Sequence, residues 1–321
     1  MSPTDTESTE LPERLLVVGT GVVGARVSRL LEATPHRVRS AAAVLAPVGV
    51  LPRVAIITTG GSHAPLAAEL GRRGVSVVSV ADGLNDIGEL LELDGLFADH
   101  EATLVVGAAM SPGISGLLAR RLADSLESCD EIHTAFHATA GPACARQHHE
   151  ALAGWAVGWH DGEWTERPGG SGRELCWFPE PVGARDCYRA ALADPLLLHR
   201  DLDDVNRISA RISATRRDRL TARLPMLRPP HPEGGIGAVR VEVRGRDADG
   251  VRQTLIAGIA EFVGAAAAAT AVAMTRQVLA GQAPRGVLST SDRRLDTDTV
   301  LEEVQRNGIR LQEFTGVPQQ A

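Results

Sequence analysis

The chain has 321 residues, 44% of them hydrophobic, and a formal net charge of −7, so it can fill the cores of two compact domains. The acidic balance excludes a protein whose task is to neutralise nucleic-acid phosphates. Apart from histidine every basic residue is arginine, which excludes a lysine Schiff base, a phosphate-binding P-loop and a paired tyrosine and lysine reductase mechanism.

Residues 1–12 (MSPTDTESTELP) are polar and acidic, unlike a secretory signal, and are read as a disordered tail on a cytoplasmic protein. Apolar runs at 15–18, 53–58, 75–80 and 103–106 predict strands, and helical spacing at 22–31, 64–73 and 115–126 predicts helices between them. Such alternation predicts an α/β fold, with a Rossmann-type doubly wound parallel sheet over residues 13–126. The first strand and helix are joined by Gly19-Thr20-Gly21-Val22-Val23-Gly24. At this spacing Gly19 permits the tight turn, Gly21 lets backbone approach a pyrophosphate, and Gly24 lets helix and strand pack closely. About twenty residues further on, an NAD site would carry an acid for the ribose hydroxyl. His36-Arg37-Val38-Arg39-Ser40 has none. Arginine beside a hydroxyl suits a 2′-phosphate, so NADP is the expected cofactor, with NAD possible, held by Arg39 and Ser40, or by Arg37 in Arg39's place. Thr59-Gly60, after the strand at 53–58, is assigned to the same cofactor site.

A second motif, TLVVGAAMSPGISGLLARRL, covers residues 103–122. Ser111 suits a helix cap and Pro112 a first helical position. Ser111-Pro112-Gly113 either does no more than cap the helix or presents its start to a ligand at the carboxyl edge of the sheet.

Beyond residue 126 the pattern changes. A strand at 132–138, a helix at 142–152, an alternating run within 201–215 and runs at 239–244 and 251–259 around the turn signal Asp249-Gly250 predict a second, α+β domain. It is expected to span 127–260 on a mostly antiparallel sheet. The tryptophan- and glycine-rich stretch at 154–177 reads as a long loop with aromatic anchors, or as a lid. Residues 261–321 are expected to return to the first domain through a buried helix at 261–279, followed by a helix at 296–307 and a strand at 309–314. The uncharged stretch 262–275 falls short of the ~18 residues of a membrane span.

The chemistry-bearing segment is HTAFHATAGPACARQHHE, residues 133–150. His133 and His137 share a strand face, and Cys144 and His148 share a helix side. The Cys144/His148 pair reads as a thiolate pair, part of a metal site, or ordinary helix residues. In a further reading His148 or His149 exchanges a proton and Arg146 grips a substrate carboxylate through two hydrogen bonds. No full metal-ligand set is assigned, and the dispersed cysteines suggest neither a structural zinc site nor a disulfide framework. The arginine-rich span 207–228 reads as a solvated face or interface, or as a site for an acidic ligand.

Together the two glycine motifs resemble the saccharopine dehydrogenase-like family of NAD(P)-dependent oxidoreductases. In that family a Gly-x-x-x-Pro-Gly segment opens a helix near the nicotinamide end, and here it corresponds to Gly107 or Ala108 through Gly113. The two-domain order and the pattern GVRQTLIAGIAEFVGAAAAATAVAMTRQVLAGQAPRGV also match. Family members acting on amino acids often carry aspartate before the Pro-Gly, where this chain has Ser111. The resemblance implies hydride transfer at a C=N or C=O bond of a small, carboxylated metabolite. The alternatives are a non-catalytic dinucleotide sensor or partner subunit, and a metal-dependent hydrolase or lyase. A homodimer is compatible with an exposed sheet face; neither nucleic acid nor membrane is an expected partner.

Overall fold

The computed structural model describes residues 15–32, 36–39, 51–226 and 234–314. The first half alternates strand and helix: β1 (Leu15–Val18), α1 (Val22–Leu30), β2 (His36–Arg39), β3 (Val54–Ile57), α2 (Ala64–Arg72), β4 (Ser76–Ser79), α3 (Leu84–Leu91), α4 (Asp94–Asp99), β5 (Thr103–Val105) and α5 (Ile114–Asp124). Every residue of β1 and β3 is buried, because a parallel sheet covered on both faces needs side chains that are apolar in both directions. The sheet has six strands, all parallel, in the order β14-β5-β4-β3-β1-β2. Its edge strand β14 (Gly286–Leu288) arrives from the far end of the chain. Neither β14 nor the helices α3 and α4 are among the predicted elements. The first is too short to register as an apolar run, and the helices together span only a few turns.

The remaining elements are β6 (Ser128–His137), α6 (Pro142–Ala153), β7 (Trp155–His160), β8 (Glu163–Pro168), β9 (Glu174–Trp177), β10 (Ala184–Arg189), α7 (Asp194–Asp201), β11 (Arg207–Ser213) and α8 (Arg216–Thr221). They are followed by β12 (Ile236–Arg246), β13 (Arg252–Phe262), α9 (Val263–Leu279), α10 (Thr297–Arg306) and β15 (Gln312–Phe314). The second sheet runs β15-β13-β12-β6-β11-β10-β9, with β7 and β8 joined at β11. All its pairs are antiparallel except β6 with β11, as a mostly antiparallel sheet requires.

One apolar cluster joins the two sheets. It takes Leu15, Val17 and Ile56 from the first sheet, Ile132, Val239 and Val241 from the second, and Leu117, Ala268 and Val272 from α5 and α9 between them. The alanine-rich α9 is buried along most of its length, and small side chains let it lie close to its neighbours. Gly264 shows how close: a Cβ there would sit 2.7 Å from Val22 of α1. No helix among the described residues is long and apolar enough to cross a membrane.

The tryptophan-rich stretch is not a loop. It forms the β7–β8 hairpin and β9, with Asp161 and Gly162 at positive φ (49° and 89°) making a tight two-residue turn. Trp159 stacks on His199 at 3.8 Å between ring centroids. The glycines interrupting the apolar alternation hide this strand pair in the sequence. Within the arginine-rich span, α8 buries no residue. Arg211 nonetheless pairs with Glu174 at 2.7 Å, and Arg219 lies 4.1 Å from the Tyr188 ring centroid.

On β12, Glu242 accepts bonds from Arg240 at 2.5 Å and Arg244 at 2.7 Å. Burial alone would raise its carboxyl pKa, but the two arginines outweigh it and hold it below the usual value. A lowered folded-state pKa gives stability that is present above the unfolded value of about 4.3 and lost as pH falls through the folded value. Thermal melts of Glu242→Gln should therefore change less with pH than those of the parent below about pH 4.5. Parallel pH profiles would show that the arginines do not act on this carboxylate.

Candidate functional site

The carboxyl ends of the parallel strands open onto a cleft of about 340 Å³, closed from the other side by β6, the start of α6 and the start of α9. Gly19, φ +124°, carries the chain off β1. A Cβ there would stand 2.5 Å from Thr58 Oγ1, and one on Gly24 would stand 2.2 Å from the Gly19 carbonyl oxygen. At Gly21 the same construction meets nothing within 4 Å. The first and third glycines thus serve packing, and the second leaves backbone bare to the cleft.

Gly21 is the N-cap of α1, no side chain caps the helix, and its first turn contains no acidic residue. Helical hydrogen bonding begins with Ala25 N–H donating to Gly21 O at 2.9 Å, which leaves the N–H groups of Val22, Val23 and Gly24 without helical acceptors. An anion is the natural partner of such a terminus. The open space at Gly21 and the uncapped helix start therefore fit the pyrophosphate of a dinucleotide. Thr20, Thr59 and Gly60 line the same cleft. Gly60 lies so near α6 that a Cβ would come within 2.7 Å of Ala143 Cβ, so the turn after β3 closely approaches the second layer. His63 ties this turn down through Nδ1 to Ser79 Oγ at 2.8 Å and Nε2 to the Thr59 carbonyl at 2.9 Å. Burial lowers its pKa.

At the other end of the turn region, β2 runs parallel to β1 with Arg39 in register with Val18. The backbone of Arg39 is therefore at the same sheet edge as the glycine turn. Ser40 lies outside the described residues.

The second motif departs from its expected geometry. Helix α5 starts at Ile114, and its N-cap is Gly113 at φ +135°, so Ser111 does not cap it and Pro112 is not in its first turn. The chain between β5 and α5 folds back on itself, with Ala109 N–H donating to Pro112 O at 3.1 Å. A Cβ on Gly113 would fall 2.0 Å from Ala109 O. Ser111 still lines the cleft, while Pro112 and Gly113 are buried. Its hydroxyl donates to Asp194, 2.9 Å and 3.1 Å from the two carboxylate oxygens, and Ser115 donates to the same group at 2.5 Å. Burial pushes the Asp194 carboxyl above its usual pKa, partly opposed by the two serine hydrogen bonds.

Across the cleft, Gly141 caps α6 and Pro142 occupies its first turn. Cys144 and His148 fall one turn apart on the inner side of this helix, with Cys144 Sγ 3.5 Å from His148 Nε2. Asp82, just beyond β4, brings Oδ2 to 3.8 Å from that nitrogen and 3.9 Å from the sulfur. His148 is buried, edge-on to Phe136 at 5.1 Å between ring centroids. Burial works against its protonation, but the Cys144 sulfur and the Asp82 carboxylate beside it outweigh this and raise its pKa to about 10. The cluster is thus a place where positive charge is stabilised. Asp82 carries no distinctive spacing in the sequence; its only signal is its position at the carboxyl end of a parallel strand.

The other candidates of this segment are dispersed. Arg146 lines an adjoining outer groove of about 1090 Å³ that shares Asp82, Gly60 and Gln147 with the cleft. The structure turns His149 away, its Nε2 2.9 Å from the Leu224 carbonyl on the far side of α6. His133 and His137 bond serines of β11, at 2.8 Å to Ser209 and 2.6 Å to Ser213, and neither lines the cleft.

No family model and no curated protein matches the sequence. Among solved structures, the chain is similar to apo saccharopine dehydrogenase (L-Glu forming) from Saccharomyces cerevisiae, with TM-score 0.66 and 13% identity over 94% of this chain and 100% of that one. It is also similar to C. glutamicum DAP dehydrogenase in complex with DAP, with TM-score 0.51 and 12% identity over 92% and 99% of the two chains. The likeness extends along nearly the whole length of both chains, and the chain has the saccharopine dehydrogenase-like fold.

Proposed function

We propose that the protein is an NADP-dependent oxidoreductase that moves a hydride to or from a C=N or C=O bond of a small, carboxylated metabolite in the cytoplasm. The observation that carries this reading is the uncapped start of α1 beside the bare backbone of Gly21, opening into a cleft that continues to Ser111, Asp82 and Cys144. The two similar structures are named for dehydrogenases of amino acids, which favours C–N chemistry. When bound, the nicotinamide dinucleotide supplies or accepts the hydride.

The chain's own groups supply the rest. Gly19 to Gly24 receive the pyrophosphate on the α1 terminus. Arg39 and Ser40 hold the 2′-phosphate. Thr59, Gly60 and the Ser111-Pro112-Gly113 turn border the reactive end. Arg146, in the outer groove, binds the substrate carboxylate. Hydride transfer leaves charge on the substrate nitrogen or oxygen, and the cluster formed by Asp82, Cys144 and His148 supplies the positive charge that meets it.

Fluorescence titrations with NADPH and NADH test the reading. NADPH should bind about tenfold more tightly, as one charge-assisted contact to the 2′-phosphate provides, and Arg39→Ala should abolish the difference. Absence of binding by either nucleotide would remove the reading.

A further inference from the structure

We propose that Asp82, Cys144 and His148 form a zinc site with one coordination position open to the cleft. Among the described residues this is the group in which a carboxylate oxygen, a thiol sulfur and an imidazole nitrogen all come within 4.8 Å of one another. Two donors stand one turn apart on α6, and the third comes from the exit of β4, so sheet and helix together set the spacing.

The separations are close to those between the ligand atoms of a bound metal ion. His148 Nε2 and Asp82 Oδ2 are 3.8 Å apart, beyond the ~2.7–3.2 Å of an N–H···O bond. The sulfur is 3.5 Å from the nitrogen, within hydrogen-bonding reach, and 3.9 Å from the oxygen, so the three donor atoms form a triangle of nearly equal sides. A tetrahedral zinc ion with bonds of ~2.3 Å to sulfur and ~2.0–2.2 Å to nitrogen and oxygen places its ligand atoms ~3.3–3.6 Å apart. Shifts of a few tenths of an ångström convert the observed triangle into that face.

The donor set has the same implication. Thiolate, imidazole and carboxylate are the groups that zinc takes in proteins, and sites with three protein ligands keep a fourth position for water or substrate. Asp82 and Cys144 both line the cleft, so the fourth position faces it. The cysteine spacing gives no zinc signature because a single cysteine is used and Asp82 lies 62 positions before it, while only Cys144 and His148 are neighbours in the chain. Resting on the oxidoreductase reading, zinc held by these three side chains would take the place of the protons on His148 and Cys144 and would polarise the C=O or C=N group as a Lewis acid.

The test uses the full chain without nucleotide, purified from zinc-supplemented medium and dialysed against a weak chelator. Metal analysis should find about one zinc per chain, and Cys144→Ser and Asp82→Asn should each weaken zinc binding by at least ~100-fold while circular dichroism stays that of the parent. Cobalt-substituted protein should show thiolate-to-metal charge-transfer absorption that Cys144→Ser abolishes. Less than about a tenth of an equivalent retained after zinc is added back, or retention unchanged in both variants, would overturn the site. An NADPH titration of the metal-free protein is read separately, so loss of zinc binding and loss of nucleotide binding are distinguishable results.

Discussion

Replacing Gly21 by alanine should cut NADPH affinity by about 100-fold and leave the fold within ~1 kcal/mol of the parent. Gly21 has φ −74° and ψ −170°, a conformation open to any residue, and an added Cβ meets no atom within 4 Å. The only cost in the free protein is a slightly poorer N-cap, worth a fraction of a kcal/mol to about 1 kcal/mol. In the complex the methyl group occupies the space through which the pyrophosphate reaches the N–H groups of the α1 terminus. Two charge-assisted hydrogen bonds lost at ~1.5 kcal/mol or more each correspond to that 100-fold.

Gly24→Ala is the contrasting variant. Its Cβ would lie 2.2 Å from the Gly19 carbonyl oxygen and 2.7 Å from Thr58 Oγ1, so α1 must move off the sheet. It should lose stability and nucleotide binding together, by ~2–3 kcal/mol in a thermal or denaturant melt. Side-by-side melts and titrations separate the two effects. Unchanged NADPH affinity in Gly21→Ala would mean that no phosphate passes over this turn.

The difference between these glycines also shows what kind of feature a sequence discloses. The turn, its strand and its helix occupy adjacent positions, so spacing alone predicts their arrangement. The inner strands β1, β3, β4 and β5 of the first sheet are equally legible as short apolar runs, as burial on both faces requires, whereas the edge strands β2 and β14 are not. The partner of Ser111 is not legible in this way: Asp194 is 83 positions away, and the local pattern suggested a cap where the fold builds a buried hydrogen bond. The same holds for the candidate metal cluster. Cys144 and His148 are visible as an i, i+4 pair, whereas Asp82 is 62 positions before the cysteine and joins them only because β4 ends opposite α6. His149, next to His148, shows the converse error, since adjacent helix positions point in different directions. In the second sheet the parallel pairing of β6 with β11 joins positions 76 apart, and nothing local distinguishes it from an antiparallel neighbour.

The contact between Ser111 and Asp194 should carry the second large effect. Asp194→Ala is expected to lower stability by ~3 kcal/mol, about 6–12 °C in melting temperature for a domain of this size. The carboxylate is 2% exposed and accepts from both Ser111 and Ser115. Removing it leaves two hydroxyls without that acceptor and a small cavity between α5 and α7. Asp194→Asn keeps an acceptor and nearly the same volume, so its loss should be smaller and should depend on pH in a defined direction. Because burial raises the folded-state pKa of Asp194, ionisation costs stability once pH exceeds the unfolded value of about 3.9, and the cost is complete above the folded value. The neutral amide escapes that cost. Relative to the parent, Asp194→Asn should therefore be least stable in acid and recover as pH rises, a trend that melts between about pH 4 and about pH 8 would reveal. Since Ser111 forms part of the cleft wall, Asp194→Ala should also weaken NADPH binding, whereas Asp194→Asn should retain it. A melt of Asp194→Ala within ~1 kcal/mol of the parent would show that the two serines find other acceptors, and that α7 does not hold the Ser111 turn against the cleft.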